Sequence, residues 1–281
     1  MQLRQAAWRA LTHPKIWLRC QQWWHQTGLR FECWRRPHAV YRPIFLLATA
    51  RSGSNLLVDY LQQLPGVACH SELLCTHRRY GISPRQMNPE SALAHIQRSL
   101  HSLQTPVRGC KLMLNQFANC RLTIDALDAA FPNARYVVLY RQSLAEQFLS
   151  RESALLTGQW VLLDGEQRKL ARVHIDPVQL RSFADETRQF YAAILSHASL
   201  RGRSALISYE ELTDNPAACL KDRVCPLLGV PQATPHTMMQ KQNVWPLEHR
   251  VLNYRDVASL LHSPLLHQRL VWPTAATRRA A

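Results

Sequence analysis

Residues 49–55 of the chain read TARSGSN and place an arginine, two serines, a glycine and an asparagine between an apolar run and an amphipathic helical pattern. A strand that enters such a turn and leaves it as a helix aims several backbone N–H groups in one direction, which suits an anion. Gly53 lets backbone approach a ligand closely, Ser52, Ser54 and Asn55 add short donors, and Arg51 adds a planar cationic fork. The GxxxxGK[ST] spacing of an ATPase loop is absent. By itself the pattern is equally a plain strand-to-helix connection. An acid, Glu72, follows in CHSE with His70 two positions before it. Side chains alternate along a strand, so the two are expected to face one way and even to touch. His77, Arg78 and Arg79 lie close by, where they either meet an acidic ligand or form a solvated charge cluster. Further on, Arg141 ends an apolar run, and Ser143, Gln147, Ser150 and Ala154 share one small, polar helix face. As isolated residues, Arg141 and Ser150 read as an ordinary surface pair.

These groups are useful only if strands and helices bring them to one place. Short apolar runs bounded by turn formers predict strands at Ile44–Thr49, Gly66–His70, Arg108–Met113, Arg135–Tyr140 and Ser204–Ser208. Helical spacing follows at 54–64, where Leu56, Leu57, Tyr60, Leu61 and Leu64 share a face, and again at 121–130 and 143–156. Asp176 before Pro177 is a helix start, and the stripe Leu180, Phe183, Thr187, Phe190, Tyr191, Ile194 and Leu195 carries that helix to about residue 199. Strands alternating with helices indicate an α/β fold: a parallel sheet, resembling that of P-loop proteins, covered on both faces. Ligands of such sheets sit at the carboxyl ends of strands.

Composition bounds the rest. The 281 residues, 47% of them hydrophobic, suffice for one large core, and no repeat or Pro/Gly/Ser-rich linker divides the chain. A net charge of +15 points to a polyanionic or phosphorylated partner, but the charge is scattered and no nucleic-acid-reading signature is present. No nucleic-acid partner is expected. The eight cysteines show no CxxC and no metal-ligand spacing with histidine, so reduced thiols and no metal are expected. Residues 1–42 form a separate arm ahead of a domain at 43–281. Within residues 1–36, Trp8, Trp17, Trp23, Trp24 and Trp34 stand among seven Arg and Lys residues. That mixture either packs helices on a core by their indole faces or seats them at a lipid surface. Without a secretory h-region, the expected location is cytoplasmic, with or without peripheral membrane contact.

The stretch TARSGSNLLVDYLQQLPGVACHSELL resembles the opening of PAPS-dependent sulfotransferases, most of all the bacterial carbohydrate branch that modifies nodulation factors, lipopolysaccharide and trehalose. The resemblance implies that Arg51, Ser52, Gly53, Ser54 and Asn55 cradle the 5′-phosphosulfate of 3′-phosphoadenosine 5′-phosphosulfate (PAPS), although relatives often carry Thr at the place of Asn55. RYVVLYRQSLAEQFLSRESALLTGQW, residues 135–160, matches a second signature of the family. The resemblance implies that Arg141 and Ser150 hold the 3′-phosphate, a dianion that gains charge-assisted hydrogen bonds at a helix N-terminus. GCKLMLNQ, ISYEELTDNP, LLGVP and KQNVWPLEHRVLNYRD extend the likeness over roughly residues 43–256. They suggest Tyr209 for the adenine and Lys241 for the 3′-phosphate.

The same likeness makes Glu72 the general base that takes the acceptor's proton. Partial burial would raise a glutamate from ~4.3 toward the ~6–7 that suits this work. His70 is its rival, because the steroid and phenol sulfotransferases use a histidine; otherwise it orients Glu72 or is a satisfied core residue. The expected enzyme moves a sulfuryl group in line to a hydroxyl, or an amine, of a carbohydrate or other small molecule. Specificity is expected in loops 73–107 and 156–176, where Trp160 stacks on a sugar, stacks on adenine or fills the core. A P-loop kinase with a degenerate loop and a basic, non-catalytic membrane or nucleic-acid module are the alternatives.

Overall fold

The computed structural model describes residues 40–76 and 81–273. The Trp-rich arm before Val40 and the cluster His77, Arg78 and Arg79 lie outside the described residues. Five parallel strands, β1 (Arg42–Ala48), β2 (Val67–Glu72), β3 (Val107–Met113), β4 (Arg135–Tyr140) and β5 (Ser204–Ser208), form one sheet in the order β2-β3-β1-β4-β5. All five fall where short apolar runs predicted them, and β1 takes in Arg42, one residue into the expected arm.

Alternation along the strands divides the core in two. One face of β1 presents Ile44, Leu46 and Ala48 to helix α1 (Ser54–Leu61), which buries Leu57, Val58 and Leu61 there. The other face presents Phe45 and Leu47 to α2 (Pro89–His101), α3 (Leu114–Cys120) and α4 (Ile124–Ala130). Each fully buried leucine of α1 is worth ~1.5–3 kcal/mol. Segment 73–107, expected as a loop, instead holds the 13-residue α2, whose Ala92, Ile96 and Leu100 recur at helical spacing and are fully buried. Asn88 caps it by accepting from the Ser91 N–H at 2.9 Å, and Pro89 stands at its first position. The pattern at 121–130 starts later than expected. Thr123 caps α4, while Arg121 turns through φ 51 to end α3.

A third cluster joins α5 (Leu144–Thr157) to the first turns of α6 (Pro177–Ser196) through Leu144, Phe148, Leu149, Leu180 and Phe183. Val251, Val257 and Leu261 from the C-terminal segment complete it. The opposite face of α5, with Gln147 and Ser150, is thereby turned to the end of β1. Ala48 pairs with Leu139, so in register the loops after β1 and β4 leave the sheet side by side at its carboxyl edge. Among the described residues no helix is long and apolar enough to cross a membrane.

Candidate active site

The loop after β1 is fixed before any ligand arrives. Gln147, fully buried on α5, donates through Nε2 to Thr49 Oγ1 and to the Ala50 carbonyl, both at 2.7 Å. Tyr191 donates its hydroxyl to the Leu139 carbonyl at 2.7 Å, so the Thr49 hydroxyl, 3.1 Å from Tyr191 Oη, is the donor of that pair. Burial holds the Tyr191 phenol well above its ordinary pKa, so it stays a donor. Ser52 is fully buried and directs both its N–H and its hydroxyl to the Thr49 carbonyl. It braces the loop from within; its hydroxyl does not project as the free donor the sequence suggested.

Arg51 and Gly53 take left-handed conformations, with φ of 63° and 90°. For arginine this costs roughly 1–2 kcal/mol, and the side chain is held correspondingly firmly. Nε donates to Ser150 Oγ at 2.9 Å, Nη1 to the Trp160 carbonyl and Nη2 to Gln242 Oε1. All three partners are neutral. Burial, and next the charge of Arg141, push the Arg51 guanidinium down to about 10 against a smaller opposing effect of Tyr209. Gly53 is required on two counts. A Cβ there would sit 2.5 Å from the Tyr209 ring, and the left-handed φ would strain any other residue; as N-cap of α1 it brings no side-chain acceptor. The first-turn amides of α1 are therefore available to an anion.

Tyr209 starts helix α7 (Tyr209–Asp214), which Ser208 and Glu211 cap reciprocally. Its ring packs against Gly53 on one side, and the Arg141 guanidinium lies over it, 4.7 Å from the centroid. Arg141 is 8% exposed, reaches Glu146 at 3.6 Å, and leaves its buried Nε without a hydrogen-bond partner. Glu146 is shared. Arg250, on the short helix α8 (Leu247–Arg250), forks onto it with Nη1 to Oε2 at 3.0 Å and Nη2 to Oε1. Side chains meet part of the helix N-terminus beside Arg141. Ser143 caps α5 by accepting from the Glu146 N–H at 3.2 Å, and both Glu210 oxygens accept from the Gln142 N–H at 3.0 and 3.2 Å.

Glu72 lies at the end of β2 and differs from its expected setting. A register shift between His70 and Glu72 pairs His70 with Cys110 and Glu72 with Lys111, neighbours on β3 whose side chains point to opposite faces. The two residues therefore part, and His70 does not orient Glu72. Its Nε2 lies 3.3 Å from the Ser99 carbonyl on α2, and burial pushes its pKa below the ordinary value, so the neutral ring donates there. Glu72 instead meets Lys111 Nζ at 2.9 Å through Oε1 and Gln116 Nε2 at 3.2 Å through Oε2. The Gln116 amide is oriented by accepting from the Met113 N–H at 3.2 Å. Lys111, almost wholly buried, also donates to Asn55 Oδ1 at 2.6 Å. One ammonium thus joins the acid to the anion loop.

Arg51, Gly53, Tyr209, Arg141 and Ser150 come together at the carboxyl edge of the sheet, with Ser54 and Asn55 in the first turn of α1. Lys241 is exposed, and its carbonyl accepts from Arg168 at 3.2 Å; its neighbour Gln242 is the residue that reaches Arg51. Trp160 is 46% exposed, which excludes a core-filling role. Lys111, Gln116, Gln242, Glu146 and Arg250 were not foreseen, and Gln147 was placed only on the polar helix face it shares with Ser150. Lys111 had one visible signal, a lysine inside the apolar run GCKLM. Among the described residues no group of three or more His, Cys, Asp or Glu side chains is arranged to hold a metal, and Cys69, Cys75, Cys110, Cys120, Cys219 and Cys225 are free thiols.

These side chains gather where β1 and β4 end, the edge at which parallel α/β sheets take their ligands. The chain belongs to the sulfotransferase family, whose profile matches residues 43–235. It is an enzyme, a PAPS-dependent sulfotransferase. Nodulation protein H of Rhizobium meliloti (strain 1021) is 27% identical over 230 residues, covering 77% of this chain and 90% of that protein. Its Rhizobium tropici counterpart is 24% identical over 227 residues, 76% of this chain and 87% of that one. A solved sulfotransferase from Alicyclobacillus acidocaldarius shares 16% identity at a TM-score of 0.48, covering 86% of this chain and 100% of that one.

Proposed function

We propose that Arg51, Ser54, Asn55 and the α1 amides receive the 5′-phosphosulfate of PAPS, that Arg141 and Ser150 receive its 3′-phosphate, and that Glu72 is the general base. Ser52 braces the loop, Gly53 admits the ligand, Tyr209 offers its ring to the adenine, and Lys241 reaches the 3′-phosphate from the exposed rim. The acceptor is a hydroxyl, or an amine, of a carbohydrate or other small molecule. One observation carries the reading: the half-buried Arg51 guanidinium and the buried Arg141 guanidinium lie close enough for the second charge to act on the first, and among the described residues Arg51 has no carboxylate partner. An anion with phosphate at both ends fits such a pair, and the unpartnered Arg141 Nε–H fits a further acceptor.

PAPS supplies a sulfuryl group on a phosphate oxygen, and its transfer leaves added negative charge on that phosphate. Glu72 keeps lone pairs free beyond those used by Lys111 and Gln116, enough to take the acceptor's proton. Once Glu72 is neutralised, its ion pair with Lys111 weakens. The ammonium, already on Asn55, then has its full charge to offer the loop where negative charge collects. Proton uptake at one end of Lys111 and charge stabilisation at the other are thereby coupled, with guanidinium and ammonium groups in the role a metal fills elsewhere. The test is Glu72→Gln. PAP, the nucleotide product, should bind as before, while turnover drops by ~10²-fold or more. An undiminished rate would remove Glu72 from the mechanism.

A further inference from the structure

Two helices of the protein begin with the same S-x-x-E spelling and use it differently. Ser208-Tyr-Glu-Glu211 closes a capping box: Glu211 Oε2 accepts from the Ser208 N–H at 2.8 Å, and Ser208 Oγ accepts from the Glu211 N–H at 3.1 Å. Ser143-Leu-Ala-Glu146 opens α5 with the first half of that exchange, the Glu146 N–H donating to Ser143 Oγ at 3.2 Å. The Glu146 carboxylate is turned to two arginines instead. Arg250 takes both oxygens, with Nη1 on Oε2 at 3.0 Å and Nη2 on Oε1. Arg141 Nη2 stands 3.6 Å from Oε2, beyond hydrogen-bond length. The backbone around Arg250 is pinned. The Val173 N–H donates to the Arg250 carbonyl at 2.8 Å, the Leu252 N–H donates to the Val173 carbonyl at 2.9 Å, and Asn253 closes on Ile175 with two bonds of 2.9 Å. Arg141 is fixed too, its carbonyl accepting from Gln268 Nε2 at 2.9 Å and its guanidinium lying over Tyr209. Both arginines are more than nine-tenths buried, and each leaves its Nε–H without a partner.

We propose that Arg250 is a positioning residue for donor recognition: by taking the Glu146 carboxylate it keeps the Arg141 fork free for the 3′-phosphate of PAPS. The inference rests on the sulfotransferase reading above and adds to it a residue that acts through another. Charge argues first. Two guanidinium groups and one carboxylate leave one positive charge, and geometry decides which arginine carries it. The two-bond fork fixes the carboxylate on Arg250, so the surplus falls to Arg141, the arginine that lies over Tyr209 and whose charge acts on Arg51. The acid has a use of its own, because a carboxylate in the first turn of α5 favours the helix dipole. Without Arg250 that same acid becomes a competitor. Arg141 is already 3.6 Å away, and a small rotation would let the carboxylate take its fork and fill the donors a phosphate needs. Direct contact of Arg250 with the phosphate is disfavoured, since the edge that forks onto an oxyanion is occupied by Glu146.

The experiment measures PAP and AMP binding by calorimetry on the full-length protein, on Arg250→Met and Glu146→Gln, and on the double variant, with a thermal melt of each. AMP lacks the 3′-phosphate and serves as the reference. Arg250→Met should weaken PAP about tenfold and leave AMP unchanged, so that KM for PAPS rises while kcat holds. Glu146→Gln should bind PAP at least as tightly as the native protein. The double variant should return to within about threefold of native affinity, because removing the competitor makes its restraint unnecessary. A merely structural role for Arg250 would not be rescued by a second loss. Arg250→Lys, which keeps a cation beside Glu146, should lose less than Arg250→Met. Unchanged PAP affinity in Arg250→Met, equal losses for PAP and AMP, or a loss that persists in the double variant overturns the proposal. Where the melt shows Arg250→Met unfolded, Glu146→Gln decides, and weakened PAP binding there overturns it as well. Native protein that binds AMP as tightly as PAP overturns the donor reading instead, so the two failures are distinct.

Discussion

The proposed site has two ends, one for the donor and one for the acceptor, built on opposite electrostatic plans. At the donor end, Arg51 is surrounded by neutral acceptors, and Arg141 and Arg250 divide one carboxylate between them. Positive charge is left over, half-buried at Arg51 and buried at Arg141 and Arg250. At the acceptor end, Glu72 and Lys111 neutralise each other within 2.9 Å, and a glutamine steadies the carboxylate. The difference fits the two tasks. A donor that arrives as a multiple anion is drawn by uncompensated cations, whereas a base needs a charge that can be cancelled and restored cheaply within a cycle. Lys111 touches both ends through Asn55, so it is where the plans meet.

Several changes would break or sharpen that contrast. The largest effect is expected from Glu72→Gln, which removes the acid while keeping its shape: kcat falls by ~10²-fold or more in a PAP-release assay, with PAP binding retained. Arg141→Ala and Arg51→Ala should invert that pattern, weakening PAP about thirtyfold or more in calorimetry, since each strips a charged partner from a buried anion. Lys111→Met should lie between, lowering kcat about tenfold with a smaller change in donor affinity. Lys111→Arg should recover part of the loss; a Lys111→Met enzyme with the native rate would uncouple the two ends. Gly53→Ala should cost ~1–3 kcal/mol in a denaturant melt, from the strained φ and the contact with Tyr209, and should weaken PAP as well.

The smallest effect concerns His70. Its folded pKa lies below the ordinary 6.5, mainly through burial, so the unfolded chain takes up this proton first as the solution is acidified. Its contribution to stability is therefore complete above about pH 6.5 and is lost as pH falls through the window below that value. His70→Gln should flatten the fall in Tm between pH 7.5 and 5.5 and leave turnover near native. A His70→Gln enzyme without turnover would instead return the base to histidine.

Much of this was legible in the chain. Five apolar runs flanked by turn formers marked the five strands, and RSGSN after the first of them marked the turn into α1, because local chemistry dictates both. Two kinds of feature were not legible. The bulge at the end of β2 depends on how β2 pairs with β3, and that single shift parted His70 from Glu72. The partners of the site residues were also hidden. Lys111 looks like a stray charge in a core strand until β2 sets Glu72 opposite it. Gln242 is distinguished from Lys241 only by a strap whose course is set by pairing of Leu163 with Met239. Long-range register decides such contacts, and spacing along one chain does not encode it.

The central claim is that Arg51 and Arg141 act jointly on one nucleotide. The most direct test is a double-mutant cycle on PAP binding by calorimetry, using the native protein, Arg51→Ala, Arg141→Ala and the double variant, with ATP as the reference ligand. Native protein should bind PAP near the micromolar range and ATP far more weakly, and the two substitutions should couple by at least ~0.5 kcal/mol. Strictly additive losses, or ATP bound as tightly as PAP, would contradict it.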